Sequence, residues 1–524
     1  MISVWLLLVI TGGLFITSGL FKEELNTPKD YLVVISITIL LLYCFTSRKR
    51  LLRLKESFNS RIMETGLIVV CALVTIHGFL QYCGLLPSNH VSFPITGAFE
   101  NPAGFAAAQA ALFPFVFSKC LDDSYGKTFR LFAVLVSLMC FISVILSGSR
   151  AGFLALFSVV VVVSSFNDSV SSFFKRYRWS WLLLLLMTVS SFVVLYYIKK
   201  DSADGRLFIW SRCFDLIKER PLLGYGPFGF HHCYMAAQAD YFRTHLESPF
   251  VMIADNVTHP FNEYILLTVN YGLTGLLVAI ILLAWIVSVI LKANMKIKVQ
   301  GLSFISSLFI LCQFSYPFRY AIVWSLAFVA IVPAIIKPRN QSIRIATPVM
   351  AIVSSLSLFF LVITLKNMYY DMKWAEISKR SIVGLADRMI KHYEGLELVK
   401  KKDPLFLYNY AAELNVLGDY QKSVDLTRRC AEMWDDYDVQ IMLASNYAYL
   451  HDKDNAVKSF DQASCMIPCR FEPLYGKMTV YVNCNDTINA LRMANDIVEK
   501  PIKVRSGRVS FIVEYARQVL DKYD

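Results

Sequence analysis

Long hydrophobic segments set the class of fold that is open to this chain. We count eleven of them, and they approach the roughly 17–25 apolar residues that a membrane-spanning helix needs. A composition of 56% hydrophobic and 18% charged residues excludes a soluble globular protein. The pattern predicts an all-α, polytopic membrane helix bundle of about eleven spans, with about ten to twelve as the range because several segments are short. The segments lie near residues 3–21, 31–46, 63–82, 104–118, 131–147, 153–166, 179–198, 263–291, 300–314, 320–336 and 346–365.

The loops between these segments alternate in positive charge, which predicts the orientation of the chain. The connections after the second, fourth, sixth, eighth and tenth segments are basic, whereas PSNHVSFPITGAFENPAG (87–104) contains no Lys or Arg. Because cationic loops stay cytoplasmic, we expect the N-terminus inside. The loop 199–262 and the chain after about residue 366 are then external, which means periplasmic in a bacterium with two membranes. The cytoplasmic loops largely explain the net charge of +12, so the charge does not indicate nucleic acid.

Polar, repetitive sequence follows the last hydrophobic segment. The stretches that begin at Tyr408 and Ile441 align at an offset of 33 residues, and a weaker third copy follows. Helix pairs with a period of about 34 residues are typical of tetratricopeptide repeats. We therefore predict two domains, a membrane domain over 1–365 that includes the loop 199–262, and an external α-solenoid of tetratricopeptide-like repeats over 366–524. Such repeats present a concave surface, so they are expected to dock a protein or glycan partner or to brace the membrane domain.

The external loop contains a cluster of basic residues. The passage GRLFIWSRCFDLIKERPLLGYGPFGF, residues 205–230, carries Arg206, Arg212, Lys218 and Arg220. Lys218 and Arg220 are expected on the solvated face of a short amphipathic helix. Arg206 is expected to begin that helix, where unbonded backbone amides favour an anion.

Two further arginines lie in short external loops. Arg150 in LSGSRAGF is flanked by Gly148 and Gly152, which are expected to let the backbone approach a ligand, and Arg319 in FSYPFRYA lies between aromatic residues. A lone arginine at the end of a span is usually an interfacial anchor. Arginines that converge on one face would instead favour a phosphate group, because the guanidinium offers a bidentate fork.

Polar residues also precede two of the apolar segments. The long loop ends in THPFNEYILLTVNYGLTGLL, residues 258–277. His259 is a candidate general base, because histidine titrates near neutral pH; an interfacial polar residue is the alternative. Glu100 and Asn101 come directly before another apolar run. They are candidates either to line a ligand cleft or to cap a helix, and we favour the cap.

Four passages together resemble the O-antigen ligase and O-antigen polymerase superfamily of bacterial envelope glycosyltransferases. The resemblance is to the Bacteroidetes-like version with a C-terminal tetratricopeptide domain. Asn262, nine residues, Gly272, two residues and Gly275 match the spacing of the family's ligase motif. The passages are GAFENPAGFAA (97–107), LSGSRAGFLAL (146–156), the basic passage 205–230 and HPFNEYILLTVNYGLTGLL (259–277).

The resemblance implies a GT-C-like bundle in the bacterial inner membrane, with no cofactor and no metal. Such enzymes move a glycan from an undecaprenyl-diphosphate carrier to an acceptor hydroxyl of a lipid A core, a growing polysaccharide or a protein. The implied partners are therefore this donor, one of these acceptors and the membrane lipids.

The resemblance also implies roles for particular residues. Arg206 matches the loop arginine that holds the diphosphate, Arg150 matches the arginine of the short Ser-Arg loop, and Asn262 is implied in substrate binding. By our own inference, Arg150 also acts at the diphosphate and His259 takes the acceptor proton. Arg212 and Arg319 are candidate helpers at the same group, the latter from topology alone.

The chain departs from the family at one position. Relatives place the catalytic histidine directly before the motif asparagine, where this chain has Phe261. Either His259 acts from a shifted position, or Glu263 or Glu247 serves as the base, or the reaction depends mainly on its good leaving group.

Other functions stay open at this point. A polysaccharide polymerase or a protein O-oligosaccharyltransferase would share the same handling of the donor. A transporter of lipid-linked glycans should carry buried charges along a pathway, and the hydrophobic segments are almost free of Asp, Glu, Lys and Arg. A non-catalytic envelope scaffold would leave the external arginines unexplained.

Overall fold

The computed structural model describes residues 2–47, 50, 61–168, 172, 176, 179, 197, 200–335 and 347–523. Every regular element within these ranges is helical, so the prediction of an all-α membrane protein is confirmed at that level. By their internal contacts the helices form two compact units. The first comprises Met1–Leu195, Phe261–Glu263 and Ala279–Ala375, and the second comprises Tyr196–Pro260, Tyr264–Val278 and Glu376–Asp524. The predicted domain boundary near residue 366 stays a prediction.

Membrane-type helices account for most of the first unit. They are α1 (Ile2–Phe15), α2 (Thr27–Phe45), α3 (Arg61–Tyr82), α4 (Pro102–Cys120), α5 (Lys127–Leu146), α6 (Arg150–Ser165), α9 (Glu263–Leu291, shared with the second unit), α10 (Met295–Phe314), α11 (Ala321–Ile335) and α12 (Thr347–Arg380, whose last residues belong to the second unit).

Length and apolar composition allow several of these helices to cross a membrane. In the described ranges seven helices meet both conditions, and α1, α6 and α11 are shorter apolar helices. These ten correspond to ten of the predicted hydrophobic segments. The predicted segment 179–198 lies outside the described residues apart from Trp179 and Tyr197, so the number of spans stays a prediction.

Helix α4 is the centre of the first unit. Of the apolar windows of the candidate spans, its window is the most buried, at 83%. Its small side chains, such as Ala106, Ala107 and Ala110, are fully buried and allow neighbouring helices to approach closely, as is common between membrane helices. Asn101 accepts hydrogen bonds from the backbone N–H groups of Ala103 (2.8 Å) and Gly104 (3.3 Å), so the predicted cap is confirmed for Asn101.

The second unit combines the long loop with the C-terminal helices. The loop contributes α7 (Lys200–Glu219) and α8 (Gly229–Thr244). The C-terminal helices are α13 (Ala386–Lys400), α14 (Pro404–Val416), α15 (Tyr420–Ala431), α16 (Tyr437–Tyr449), α17 (Lys453–Met466), α18 (Glu472–Asn483), α19 (Thr487–Glu499) and α20 (Gly507–Tyr523).

Aspartate residues cap five of the C-terminal helices. Asp403, Asp419, Asp436, Asp452 and Asp486 each accept a hydrogen bond from the backbone N–H three residues later, which is the N-cap geometry that aspartate favours. Short turns then join the helices into successive pairs that pack on their neighbours in the chain. That these pairs are tetratricopeptide repeats stays a prediction.

Candidate functional site

Helix α7 carries two of the three arginines of the basic passage, Arg206 and Arg212. The described helix already runs from Lys200, so Arg206 lies in its second turn. The prediction that Arg206 begins the helix is therefore wrong, and the backbone amide of this residue belongs to the helix instead of an open anion site. The interpretation of Lys218 agrees with the structure, because its side chain is 77% exposed and pairs with Asp215 at 3.1 Å.

Arg212 is engaged with its neighbours in the second unit. Its Nη1 pairs with Asp215 Oδ2 at 3.1 Å, and its guanidinium lies over the ring of Tyr241, 4.5 Å from the centroid. The side chain is 22% exposed. Because Tyr241 belongs to α8, Arg212 joins the two helices of the loop. A role for Arg212 in binding the donor stays a prediction.

A tryptophan connects α7 to the segment of His259. The indole N–H of Trp210 donates a hydrogen bond to the carbonyl oxygen of Pro260 at 2.8 Å. Arg206 and Trp210 are four residues apart, so they are neighbours on one face of the helix. The face that carries Arg206 is thus directed to the residue that follows His259. Sequence reasoning missed Trp210, although its spacing from Arg206 was a usable signal.

Helix α9 is broken at the first glycine of the ligase-like motif. Gly272 has φ 65° and ψ −169°, a conformation that is almost restricted to glycine. At this break the carbonyl groups of Val269 and Asn270 and the N–H groups of Leu273 and Thr274 do not pair with one another as they would in an unbroken helix.

The turn 221–226 supplies partners for these four groups. A Cβ at Gly272 would lie 2.1 Å from the carbonyl oxygen of Leu222, and a Cβ at Gly224 would lie 2.5 Å from that of Val269, so both glycines allow this close approach. We call this arrangement the loop lock. Its backbone bonds run from Tyr225 N–H to Val269 O (3.0 Å), Gly226 N–H to Asn270 O (2.7 Å), Leu273 N–H to Pro221 O (2.7 Å) and Thr274 N–H to Leu222 O (3.2 Å).

The side chain of Asn270 extends the loop lock to the start of α8. Its Oδ1 accepts a hydrogen bond from the N–H of Phe230 at 2.9 Å, and its Nδ2 donates to the carbonyl oxygen of Pro227 at 3.2 Å. The sequence does not indicate that the turn 221–226 completes a broken helix.

Several predicted site residues lie at one end of the first unit. Helices α5 and α6 are joined by a short turn, so the end of α5 and Arg150 lie together. Tyr316, just after α10, accepts a hydrogen bond from Asn101 Nδ2 at 2.9 Å. Asn262 Nδ2 donates to the carbonyl oxygen of Gln313 at 3.2 Å. Arg150, Asn262 and Arg319 therefore share an end of the bundle with the start of α4.

Arg319 lies among carboxylates. Its Nη2 contacts both carboxylate oxygens of Glu23, at 3.0 and 3.1 Å. Burial lowers the pKa of Arg319, but the nearby carboxylates of Glu23, Glu100 and Asp30 outweigh this effect and raise it overall. The guanidinium is consequently charged and paired. Any binding of a phosphate by Arg319 would have to compete with Glu23, so its helper role stays a prediction.

Arg150 is the first residue of α6. Ser149 caps this helix by accepting a hydrogen bond from the N–H of Gly152 at 3.2 Å. A Cβ at Gly152 would lie 2.7 Å from Cβ of Ala106 in α4. Gly152 therefore serves helix packing, and the expectation that it lets the backbone approach a ligand stays a prediction. Arg150 itself lies at the positive end of the helix dipole, and its contact with the donor stays a prediction.

The residues around position 261, where relatives have the motif histidine, differ in backbone conformation and in exposure. Phe261 has a positive φ of 55°, which is strained for a bulky residue and is often found at functional sites. Asn262 is 5% exposed, and Glu263 Oε1 accepts a hydrogen bond from the N–H of Phe318 at 3.3 Å. Glu247 is exposed and His259 is half-buried. Which of these groups acts as the base stays a prediction.

Among the residues that the structure describes, no group of three or more His, Cys, Asp or Glu side chains could hold a metal ion.

Comparison with known proteins places these features within a family. No curated protein matches the chain. Residues 135–280 match the family model described as O-antigen ligase. The match contains Arg150, Arg206, His259 and the loop lock, whereas Arg319 lies beyond it. The function is thereby supported at the level of glycosyl transfer of the O-antigen ligase or polymerase type. Residues 135–280 thus match an O-antigen ligase domain, and this match supports the O-antigen ligase superfamily for that part of a membrane protein.

Proposed function

We propose that the protein transfers a glycan from an undecaprenyl-diphosphate-linked donor to an acceptor hydroxyl at the outer face of the bacterial inner membrane. One observation carries the proposal. Within the family-matched region, Trp210 directs the helix face of Arg206 to the segment of His259. A cation can stabilise the diphosphate leaving group, and an imidazole can accept the proton of the acceptor hydroxyl.

The reaction breaks the bond between the anomeric carbon and the diphosphate oxygen. The acceptor oxygen forms the new bond to that carbon, and the electron pair of the broken bond leaves with the diphosphate. Arg206 offsets the charge that develops on the leaving group, which is electrostatic stabilisation of the transition state. His259 accepts the proton of the attacking hydroxyl, a contribution of roughly 10²–10⁴ in rate.

The first test is Arg206→Ala, with Lys218→Ala as the matched control. Both residues are basic and lie on α7, but Lys218 is solvent-exposed and paired with Asp215. In cells that lack the native gene, at matched membrane expression, we expect Arg206→Ala to reduce glycan transfer by about 10²–10³. The lipid-linked donor should accumulate, and Lys218→Ala should transfer normally.

Arg206→Lys separates charge from geometry. Lysine keeps the charge but loses the bidentate fork, so we expect an intermediate rate. Normal transfer by Arg206→Ala would refute the proposed mechanism and leave the arginines as anchors.

The same cells identify the acceptor. New label on the lipid A core indicates a ligase, a change in polysaccharide chain length indicates a polymerase, and label on protein indicates an O-oligosaccharyltransferase. The external position of the loop and of the C-terminal helices belongs to this proposal, and it is testable by labelling single cysteines from the periplasm.

A further inference from the structure

The loop helix α8 packs against α17 of the C-terminal helices, and both belong to the second unit. Gln238 lies at the centre of this contact and is 1% exposed. Its Nε2 donates to the carbonyl oxygens of Met466 (2.7 Å) and Asp255 (3.2 Å), and its Oε1 accepts from the hydroxyl of Tyr234 (2.8 Å). One buried amide therefore ties together α8, the end of the loop and the end of α17.

Further polar contacts surround Gln238. The N–H of Asp435 donates to the carbonyl oxygen of His231 at 3.1 Å, and the ring of His231 lies 4.1 Å from that of Trp434. On the other side, Asn256 Nδ2 donates to Asp436 Oδ2 at 3.0 Å. These bonds join both ends of the loop segment 231–256 to the C-terminal helices.

The contact continues from α8 to the helix that carries Arg206. Phe208 is 3% exposed, and its ring packs against those of Phe242 and Tyr241, at centroid distances of 5.4 and 5.1 Å. Because Phe208 lies two residues after Arg206, a displacement of α8 changes the placement of α7 at the arginine.

We propose that the C-terminal helices act in cis, as the clamp that holds the arginine-bearing loop, with Gln238 as a positioning residue. The surface of α17 that meets α8 is then occupied by this chain and is not a docking site for another protein. The consequence for catalysis rests on the proposed function, in which Arg206 holds the donor diphosphate. The clamp itself is testable independently of that function.

The test variant is Gln238→Glu, and the matched control is Gln421→Glu. Glutamate nearly matches glutamine in size but at neutral pH has no proton for the carbonyl oxygens of Met466 and Asp255, which loses two buried hydrogen bonds. Gln421 is exposed on α15, so its variant adds the same charge outside the contact. Both full-length proteins are purified in detergent beside the wild type.

Two measurements follow on these proteins. We expect amide hydrogen exchange in residues 229–244 to accelerate about tenfold or more in Gln238→Glu and to be unchanged in Gln421→Glu. The affinity for undecaprenyl diphosphate, used as the probe, should fall about tenfold in Gln238→Glu. In the double variant Arg206→Ala/Gln238→Glu the losses should not add, because Gln238 acts through the placement of Arg206.

Each outcome decides one statement. Unchanged exchange in residues 229–244 overturns the clamp. Faster exchange with unchanged probe affinity, or additive losses in the double variant, overturns the positioning role of Gln238. If Arg206→Ala itself leaves the probe affinity unchanged, the proposed diphosphate site fails, while the exchange data still decide the clamp.

Discussion

The substitution Gly272→Ala should open the loop lock. The added Cβ would lie 2.1 Å from the carbonyl oxygen of Leu222 and 2.5 Å from the nitrogen of Leu223. Both are backbone atoms, so no rotation of a side chain relieves the clash. The φ of 65° and ψ of −169° add a backbone strain of about 1–3 kcal/mol for alanine.

The hydrogen bonds of the loop lock account for the larger part of the free-energy cost of Gly272→Ala. Moving the turn away breaks the four backbone hydrogen bonds between residues 221–226 and 269–274, at roughly 0.5–1.5 kcal/mol each. The total is about 3–9 kcal/mol if all four are lost. This cost is smaller than the free energy of unfolding of a typical whole domain, about 5–15 kcal/mol. We therefore expect the loop lock to open while the rest of the second unit stays folded.

Hydrogen exchange of the amides of Tyr225 and Gly226 measures the opening directly, because both donate across the lock. Two matched alanine variants separate the contributions. Gly226 has a φ of 95°, and a Cβ there would meet no atom within 4 Å, so Gly226→Ala adds backbone strain without a clash. A Cβ at Gly205, inside α7, would also meet open space, so Gly205→Ala should be neutral or slightly stabilising. Equal loss of protection in Gly272→Ala and Gly226→Ala would refute the reasoning, because the close approach of Leu222 would then contribute nothing.

Two further substitutions test electrostatic and capping effects. Burial raises the pKa of Asp435 from its ordinary 3.8 to about 6, so the folded state holds the proton more tightly than the unfolded state, and stability from this carboxyl falls as pH rises from about 4 to about 6. Asp435→Asn should raise the free energy of unfolding at pH 7.5 by roughly 1–3 kcal/mol and not at pH 4; thermal unfolding at both values checks this, and a gain only at acidic pH contradicts it. Asn101→Ala removes the cap of α4 and the bond to Tyr316 and should cost roughly 1–2 kcal/mol. Asn101→Ser should retain most of this stability, and equal melting temperatures for the two variants would show that the cap is not what matters.

The helices were largely legible from the sequence because membrane-type segments are continuous and strongly apolar. Helix α9 has the same bounds as the predicted hydrophobic segment 263–291. Its break at Gly272 was not legible, because the apolar run continues through it and the partners of the open backbone groups lie some 50 residues earlier. A pattern of hydrophobicity contains no information about such a partner.

The start of α7 shows the opposite error. The sequence predicts that Arg206 begins the helix, yet the helix already runs from Lys200 and continues through Gly205. An exposed glycine costs a helix only about 1 kcal/mol relative to alanine, and the burial of Phe208 and Cys213 on one face of α7 outweighs that amount. Tertiary packing, which the sequence pattern does not reveal, decided the boundary.

For the candidate site, the sequence predicted which residues matter better than it predicted what they contact. The motif spacing selected Asn262 and Gly272, but the structure buries Asn262 against Gln313 and uses Gly272 to admit the turn 221–226. Gln238 and Trp210 had no motif to mark them. Their importance depends on bonds to residues 228 and 50 positions away, and distances of that kind follow from the fold alone.

The bond between Gln238 and Met466 also fixes an order of events during synthesis. The two residues are 228 positions apart, and at about 5–20 residues per second the ribosome needs roughly 10–45 s to pass from one to the other. Throughout that interval Tyr234, Met235 and Gln238, which are buried in the finished protein, have no C-terminal helices to cover them. A nascent chain therefore exposes these three side chains until its C-terminal helices are made, and a chain that stops early exposes them permanently.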